Sequence, residues 1–276
     1  MQVHFLEKEY AGLFSRVDFC YFLFMKKNGW SVPNNPIALP NQQIHLWRAP
    51  LECSEQELAD FRKVLSPDEI KRADRYIFPK DQRKFAKARG VLRHILARYL
   101  RCHPTEVQFS YSERGKPSLM NLPLYFNVSH SHELALYGFS VERKIGVDLE
   151  FIREMSQPMD IAKRFFSKRE HRLLSELPSS EQLRSFFACW TRKEAYVKAI
   201  GLGLAQALNA FEVSITPDEP AALLSIEDDP LAAKAWSLEN ILLPDGYLGC
   251  LAVQKLEGEA EGLPYPVSQY EFSVSS

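Results

Sequence analysis

The sequence predicts an α+β protein of two similar halves, each a small antiparallel sheet packed on a long helix, with the active site at their junction. Three observations predict it. The order of short helix, long helix and strand occurs twice along the chain. The interval from Ser66 to Phe109 nearly equals that from Ser167 to Phe211. Each copy opens on the same signal, Ser66-Pro67-Asp68-Glu69 in one and Ser167-Lys168-Arg169-Glu170 in the other, a serine N-cap whose glutamate three residues on reaches back to it.

The first half begins with a strand at 43–48. Ser54-Glu55-Gln56-Glu57 is a further capping box and opens a helix carrying Leu58, Phe61 and Leu65. At Ser66 the box gains Pro67 at the first helical position, where its missing N–H costs nothing. A long helix over 81–101 follows, with Phe85, Ala88, Leu92, Ile95 and Tyr99 on one stripe. Its other face is basic, with Arg83, Lys84, Lys87, Arg93 and Arg98, and reads as an excess of cations with few acidic neighbours. Short strands are expected at 107–111, 124–128, 134–139 and 144–150. In the second half a short helix and a long one over 181–200 precede Gly201, which terminates the latter. Strands at 211–215, 235–243 and 247–253 complete it. The domain reading is therefore 41–143 for the first half and 144–256 for the second, with a variable extension at 1–40 and a loose polar tail from 257 to 276.

Composition narrows the class. The chain has 276 residues, 46% of them hydrophobic and 25% charged, as in ordinary globular proteins. Its formal charge of −1 argues against a general nucleic-acid binder. Cys20, Cys53, Cys102, Cys189 and Cys250 are scattered, which favours reduced thiols in the cytoplasm over a disulfide framework or a zinc site. The apolar run 19–25 is too short to span a bilayer and lacks the flanks of a signal peptide. A cytoplasmic protein without a membrane partner is expected.

Three carboxylates carry the chemistry. Asp148 and Glu150 alternate along the apolar run Ile145-Gly146-Val147-Asp148-Leu149-Glu150, so on a strand they leave the same face. Two bare carboxylates that close repel unless a cation sits between them. Glu194 lies in the helical segment Trp190-Thr191-Arg192-Lys193-Glu194-Ala195, and Lys198 follows one turn later on the same face. Oxygen ligands from a strand and a helix suit Mg²⁺, which keeps waters and completes its shell from a phosphate. Glu113-Arg114-Gly115-Lys116-Pro117 is a turn presenting two cations, suited to phosphate. Phe126-Asn127-Val128-Ser129-His130-Ser131-His132 is a strand running into a polar cluster. Neighbours on a strand point apart, so Ser129 and His130 make a poor nucleophile–base pair. There is no P-loop, and Gly201-Leu202-Gly203 follows a helix where a dinucleotide-binding glycine motif precedes one. The residues alone reach a metal-assisted reaction on a phosphate-bearing ligand.

In order, Arg114-Gly115-Lys116-Pro117, Phe126-Asn127-Val128-Ser129-His130-Ser131, Ile145-Gly146-Val147-Asp148-Leu149-Glu150, Ala162-Lys163-Arg164-Phe165-Phe166-Ser167 and Trp190-Thr191-Arg192-Lys193-Glu194-Ala195 resemble the 4′-phosphopantetheinyl transferase superfamily. The likeness is to its two-half members and runs from about 43 to 253. It implies transfer of phosphopantetheine from coenzyme A to a serine of an apo carrier protein, releasing 3′,5′-ADP, with the nucleophile on the partner. It implies that Asp148, Glu150 and Glu194 are the Mg²⁺ ligands, with Glu194 also the base and Lys198 the partner of the leaving phosphate. Lys116, Ser129 and His130 match the family's coenzyme A contacts. Arg72 and Arg89 fall at phosphate-binding places in the first half. Glu69 stands where some relatives have a lysine. Two covalently joined halves imply a monomer. A metal-dependent phosphodiester hydrolase and a non-catalytic carrier-binding module are the competing readings.

Overall fold

The computed structural model describes residues 29–33, 37–113, 115–120, 122–201, 207–227, 229–256, 259 and 266–273. The expected apolar run 19–25, Arg114 and the Gly-Leu-Gly segment beyond Gly201 lie outside or partly outside them. The first half contains β1 (Ile44–Pro50), α1 (Glu55–Lys63), α2 (Pro67–Asp74), α3 (Pro79–Leu100), β2 (Phe109–Tyr111), β3 (Pro117–Leu119), β4 (Tyr125–Ser131) and β5 (Leu134–Ser140). The second contains β6 (Ile145–Phe151), α4 (Pro158–Phe165), α5 (Lys168–Glu176), α6 (Ser179–Ile200), β7 (Phe211–Val213), β8 (Leu223–Ile226), α7 (Pro230–Ala233), β9 (Trp236–Asn240) and β10 (Tyr247–Gln254). A last strand, β11, spans Val267–Glu271.

The two halves repeat one plan. Strands β1-β5-β4 and β6-β10-β9 lie in the same order, each antiparallel to its neighbour. Helices α3 and α6 each run 22 residues. Alternation along the strands sends odd and even residues to different cores. Trp47, Ala49, Tyr137 and Phe139 pack under α3. Cys250 and Ala252 pack under α6. Ile44, Leu46, Leu134, Leu136, Ile145, Val147, Leu149, Leu251 and Val253 form a third apolar cluster between the sheets.

A second correspondence is electrostatic. In each half the glutamate of the capping box is buried and meets a cation from the long helix. Glu170 faces Lys193 at 2.8 Å with both side chains fully enclosed, and Lys193 also donates to Leu208 O and Phe211 O. Glu69 takes Arg93 at 2.6 Å and Arg89, and Arg93 donates to Pro104 O and Val107 O. A charge removed from water is tolerated only when paired and hydrogen-bonded, and both are.

Several expectations need correction. The basic face of α3 is not short of acidic partners. Arg83 pairs with Glu55, Lys84 with Glu133 at 2.6 Å, and Lys87 donates to Glu52 O, while Arg93 and Lys87 are buried. Those partners are distant in sequence, so helical spacing could not reveal them. The tail is not wholly loose, because β11 pairs in parallel with β1 and Phe272 joins the first core. Apolar Val267, Tyr270 and Phe272 account for this, and the first sheet is consequently mixed. Part of the 1–40 segment also belongs to the fold: Trp30 is buried and donates to Leu242 O, and Ser31 bridges to Tyr270. The strand at 125 does not stop before the polar cluster but runs through Ser129 and His130 to Ser131.

Candidate active site

Gly146 sets the site's dimensions. A Cβ there would lie 2.0 Å from Ala195 O and 2.5 Å from Ala199 N, far inside contact distance, so only glycine lets β6 press against α6 this closely. The face of β6 that carries Asp148 and Glu150 is thereby laid on the turn of α6 carrying Glu194 and Lys198. Asp148 and Lys198 meet directly, and Glu150 and Glu194 lie within electrostatic reach of them.

Lys198 Nζ donates to Asp148 Oδ1 at 2.5 Å and to Ser129 Oγ at 2.8 Å. Asp148 Oδ2 and Glu194 Oε1 are buried without a hydrogen-bond partner among the described residues. Burial raises the pKa of the Glu194 carboxyl, Asp148 raises it further, Lys198 opposes and Glu150 adds to the rise. Glu150 is raised first by burial, against the Ser131 hydrogen bond, with Asp148 again raising it. Three carboxylates thus repel one another across the junction, with one ammonium among them. Among the described residues no three His, Cys, Asp or Glu side chains close on a common point. Lys198 holds the near oxygen of Asp148, and two orphaned carboxylate oxygens remain. Buried acceptors without donors are rare in proteins; a hard cation bound by oxygen fits this donor set.

The join between halves is made by side chains. Strands β4 and β6 belong to different sheets. Asn127 Oδ1 accepts from Val147 N at 2.9 Å, Ser129 Oγ from Leu149 N at 3.4 Å, and Ser131 Oγ from Phe151 N at 3.1 Å. The two hydroxyls spend their protons on Asp148 Oδ1 and Glu150 Oε2, each at 2.8 Å. Ser129, expected at coenzyme A, therefore faces the carboxylates. Sequence reasoning assigned no role to Asn127, Ser131 or Gly146; the signal for the first two was polar residues alternating with Val128 and His130 along one strand.

The remaining predicted contacts surround a cavity of about 190 Å³ lined by Arg72, Phe85, Arg89, Lys116, Asn127 and His130, among others. Arg72 stacks over the Phe85 ring at 5.3 Å. Lys116 Nζ donates to Lys198 O at 2.5 Å and Ala199 O at 3.2 Å, so it caps the C-terminus of α6 from the other half. Burial, with help from Lys144, lowers its pKa to about 8, and one of its three N–H groups is left over for a ligand. The pKa of His130 is lowered by the protein packed about it, then by Lys198 and Lys84. Arg89 reaches the cavity already committed: Nε to Glu69, Nη2 to Tyr111 Oη at 2.7 Å, its plane 4.0 Å over Phe109. Glu69 itself is committed to Arg89 and Arg93. Burial alone would raise its carboxyl, but Arg89, the Ser66 N–H and Arg93 outweigh it and hold it below the ordinary value.

Two family models match the two halves. Residues 144–252 match the 4′-phosphopantetheinyl transferase superfamily, and 47–138 match its N-terminal region, described as 4′-phosphopantetheinyl transferase, N-terminal. The 4′-phosphopantetheinyl transferase HetI of a Nostoc strain is 42% identical over 83% of this chain and 95% of its own length. The chain belongs to the 4′-phosphopantetheinyl transferase superfamily. The enzyme Sfp of Bacillus subtilis is 31% identical over 67% of this chain and 83% of its own length. A mouse relative, L-aminoadipate-semialdehyde dehydrogenase-phosphopantetheinyl transferase, is 26% identical over 71% and 69%. Among the described residues no helix is long and apolar enough to cross a membrane.

Proposed function

We propose that this member of the superfamily transfers 4′-phosphopantetheine from coenzyme A to a serine of an apo acyl or peptidyl carrier protein, in a Mg²⁺-dependent reaction. The observation that carries the reading is one strand, β4, flanked by both halves of the chemistry. It lines the cavity of Arg72, Lys116 and His130 and bonds the Asp148–Glu150 carboxylates. Phosphates of a nucleotide fit the cations of the cavity, which puts a pyrophosphate within reach of the carboxylates.

Asp148, Glu150 and Glu194 would hold the divalent cation, whose charge offsets that of the pyrophosphate when bound. Glu194, raised by burial and by Asp148, is suited to take the proton of the incoming serine. The serine oxygen forms a bond to the phosphorus bearing pantetheine, the pyrophosphate bond breaks, and 3′,5′-ADP leaves. Lys198, held beside Asp148, would offset the charge gained on the leaving phosphate. The nucleophile comes from the partner. A cytoplasmic monomer completes the proposal.

Mass spectrometry of an apo carrier incubated with the protein, coenzyme A and Mg²⁺ tests it. A phosphopantetheine gain on the carrier is expected. Nucleotide release without an acceptor would instead identify a hydrolase, and neither product a binding module.

A further inference from the structure

The hydroxyl of Ser131 meets two groups of β6 at once. It accepts from Phe151 N at 3.1 Å and donates to Glu150 Oε2 at 2.8 Å. Ser129 repeats the pattern one pleat earlier, accepting from Leu149 N and donating to Asp148 Oδ1. Each serine thus bonds a carboxylate and the N–H of the next residue. Asn127 serves only the N–H of Val147, preceding Asp148. The N–H bonds fix the register between the halves, and in that register each serine proton falls on a carboxylate oxygen. The pairs differ in one respect: Lys198 also holds Asp148, whereas the cation near Glu150 is the exposed Arg153 at 3.4 Å. The half-buried partner that meets Glu150 is Ser131.

We propose that Ser131 is a positioning residue which, from the first half, sets the Glu150 carboxylate of the second for cation binding. The inference rests on the metal site proposed above. One carboxylate oxygen, Oε2, is tied to the hydroxyl, which leaves Oε1 as the oxygen to meet a cation. A ligand held in one rotamer loses less freedom on binding, and changes to groups that orient ligands typically weaken metal affinity 10–100-fold. Because the serine reaches Glu150 only when the halves are in register, cation binding and the join between halves are coupled.

The test is titration of the full chain, without substrates, with Mn²⁺ followed by electron paramagnetic resonance, alongside thermal melts. Ser131→Ala is expected to weaken binding about tenfold. Ser131→Thr, which keeps the hydroxyl on a strand that favours β-branched residues, should bind as the parent does. Ser131→Cys keeps the volume with a weak donor, should fall between, and serves if the alanine variant does not fold. In a Glu150→Gln background the serine change should have no further effect. Parent-like affinity in both Ser131→Ala and Ser131→Cys overturns the inference alone, as does equal weakening by alanine and threonine. No Mn²⁺ binding by the parent protein overturns the metal reading and this inference with it.

Discussion

The two halves share a plan but not a chemistry, and the same positions show where they part. The strands β1 and β6 each have seven residues. The fourth residue is Trp47 in one and Asp148 in the other; the second is His45 in one and Gly146 in the other. Along the helices, Arg93 corresponds to Lys193, His94 to Glu194 and Arg98 to Lys198. In the first half the Arg98 guanidinium lies 5.5 Å over the Trp47 ring, and His94 packs among Phe61 and Phe272. In the second half the matching cation holds Asp148 and the matching helix position offers Glu194. One scaffold therefore supports an aromatic core in one copy and a charged site in the other.

The edge strands explain the division. The outer edge of β1 is paired by β11, so the first copy is sealed. The outer edge of β6 meets β4 through hydroxyls and an amide, which leaves the adjoining carboxylates polar company. Both buried glutamate–cation pairs are kept, since each organises a half, whereas the cluster of Asp148, Glu150, Glu194 and Lys198 stands in the second half alone.

The comparison breaks most visibly at Glu194 against His94. Glu194→Ala should lower transfer about 10³-fold, the upper range for losing a group that acts on transition-state charge, with melting unchanged. His94→Ala should lose stability and keep turnover; equal loss of kcat in both would end the distinction. Next come the buried pairs. Glu170→Ala and Glu69→Ala should each cost about 3–5 kcal/mol in urea unfolding by stranding buried cations, and a neutral Lys193→Met should recover part of the loss in Glu170→Ala. Glu69 also predicts an acid response. Its carboxyl is held below the ordinary glutamate value when folded, so its contribution is full above that value and is lost as pH falls through the lower folded value; Glu69→Gln should flatten this limb.

Gly146→Ala should destabilise by about 2–4 kcal/mol, as overpacking at a rigid contact does, and should lower activity because β6 would leave α6. The corresponding His45 is accommodated, with its ring on Tyr99. Lys116→Ala should raise the KM for coenzyme A about tenfold, or about 1.4 kcal/mol, with little change in kcat. A second pH response belongs to His45, whose pKa burial lowers to about 4. The unfolded chain binds the extra proton between about 6.5 and 4, so stability declines as pH falls across that window, and His45→Asn should remove the decline.

Much of this was legible. All three capping boxes formed where the serines and glutamates stood, and Gly201 ended α6 in the left-handed conformation. Strand and helix period put Asp148 and Glu150 on one face of β6, and Glu194 and Lys198 one turn apart on α6, as the structure has them. Helix and strand period report local geometry, which the backbone imposes residue by residue. What period does not report is which distant group a side chain meets. Sequence places Arg89 and Lys116 among the phosphate contacts but does not show that Glu69 holds the one or that the other caps α6.

The sequence by itself determined the repeated elements, their caps and the residue types of the site, because those follow from spacing and intrinsic preference. Only the tertiary structure decided that β11 seals the first half, that Asn127, Ser129 and Ser131 stitch the halves together, and that Gly146 admits α6 to the carboxylates. Each depends on contacts between segments far apart in the chain, where burial and close packing, not local propensity, choose the partner.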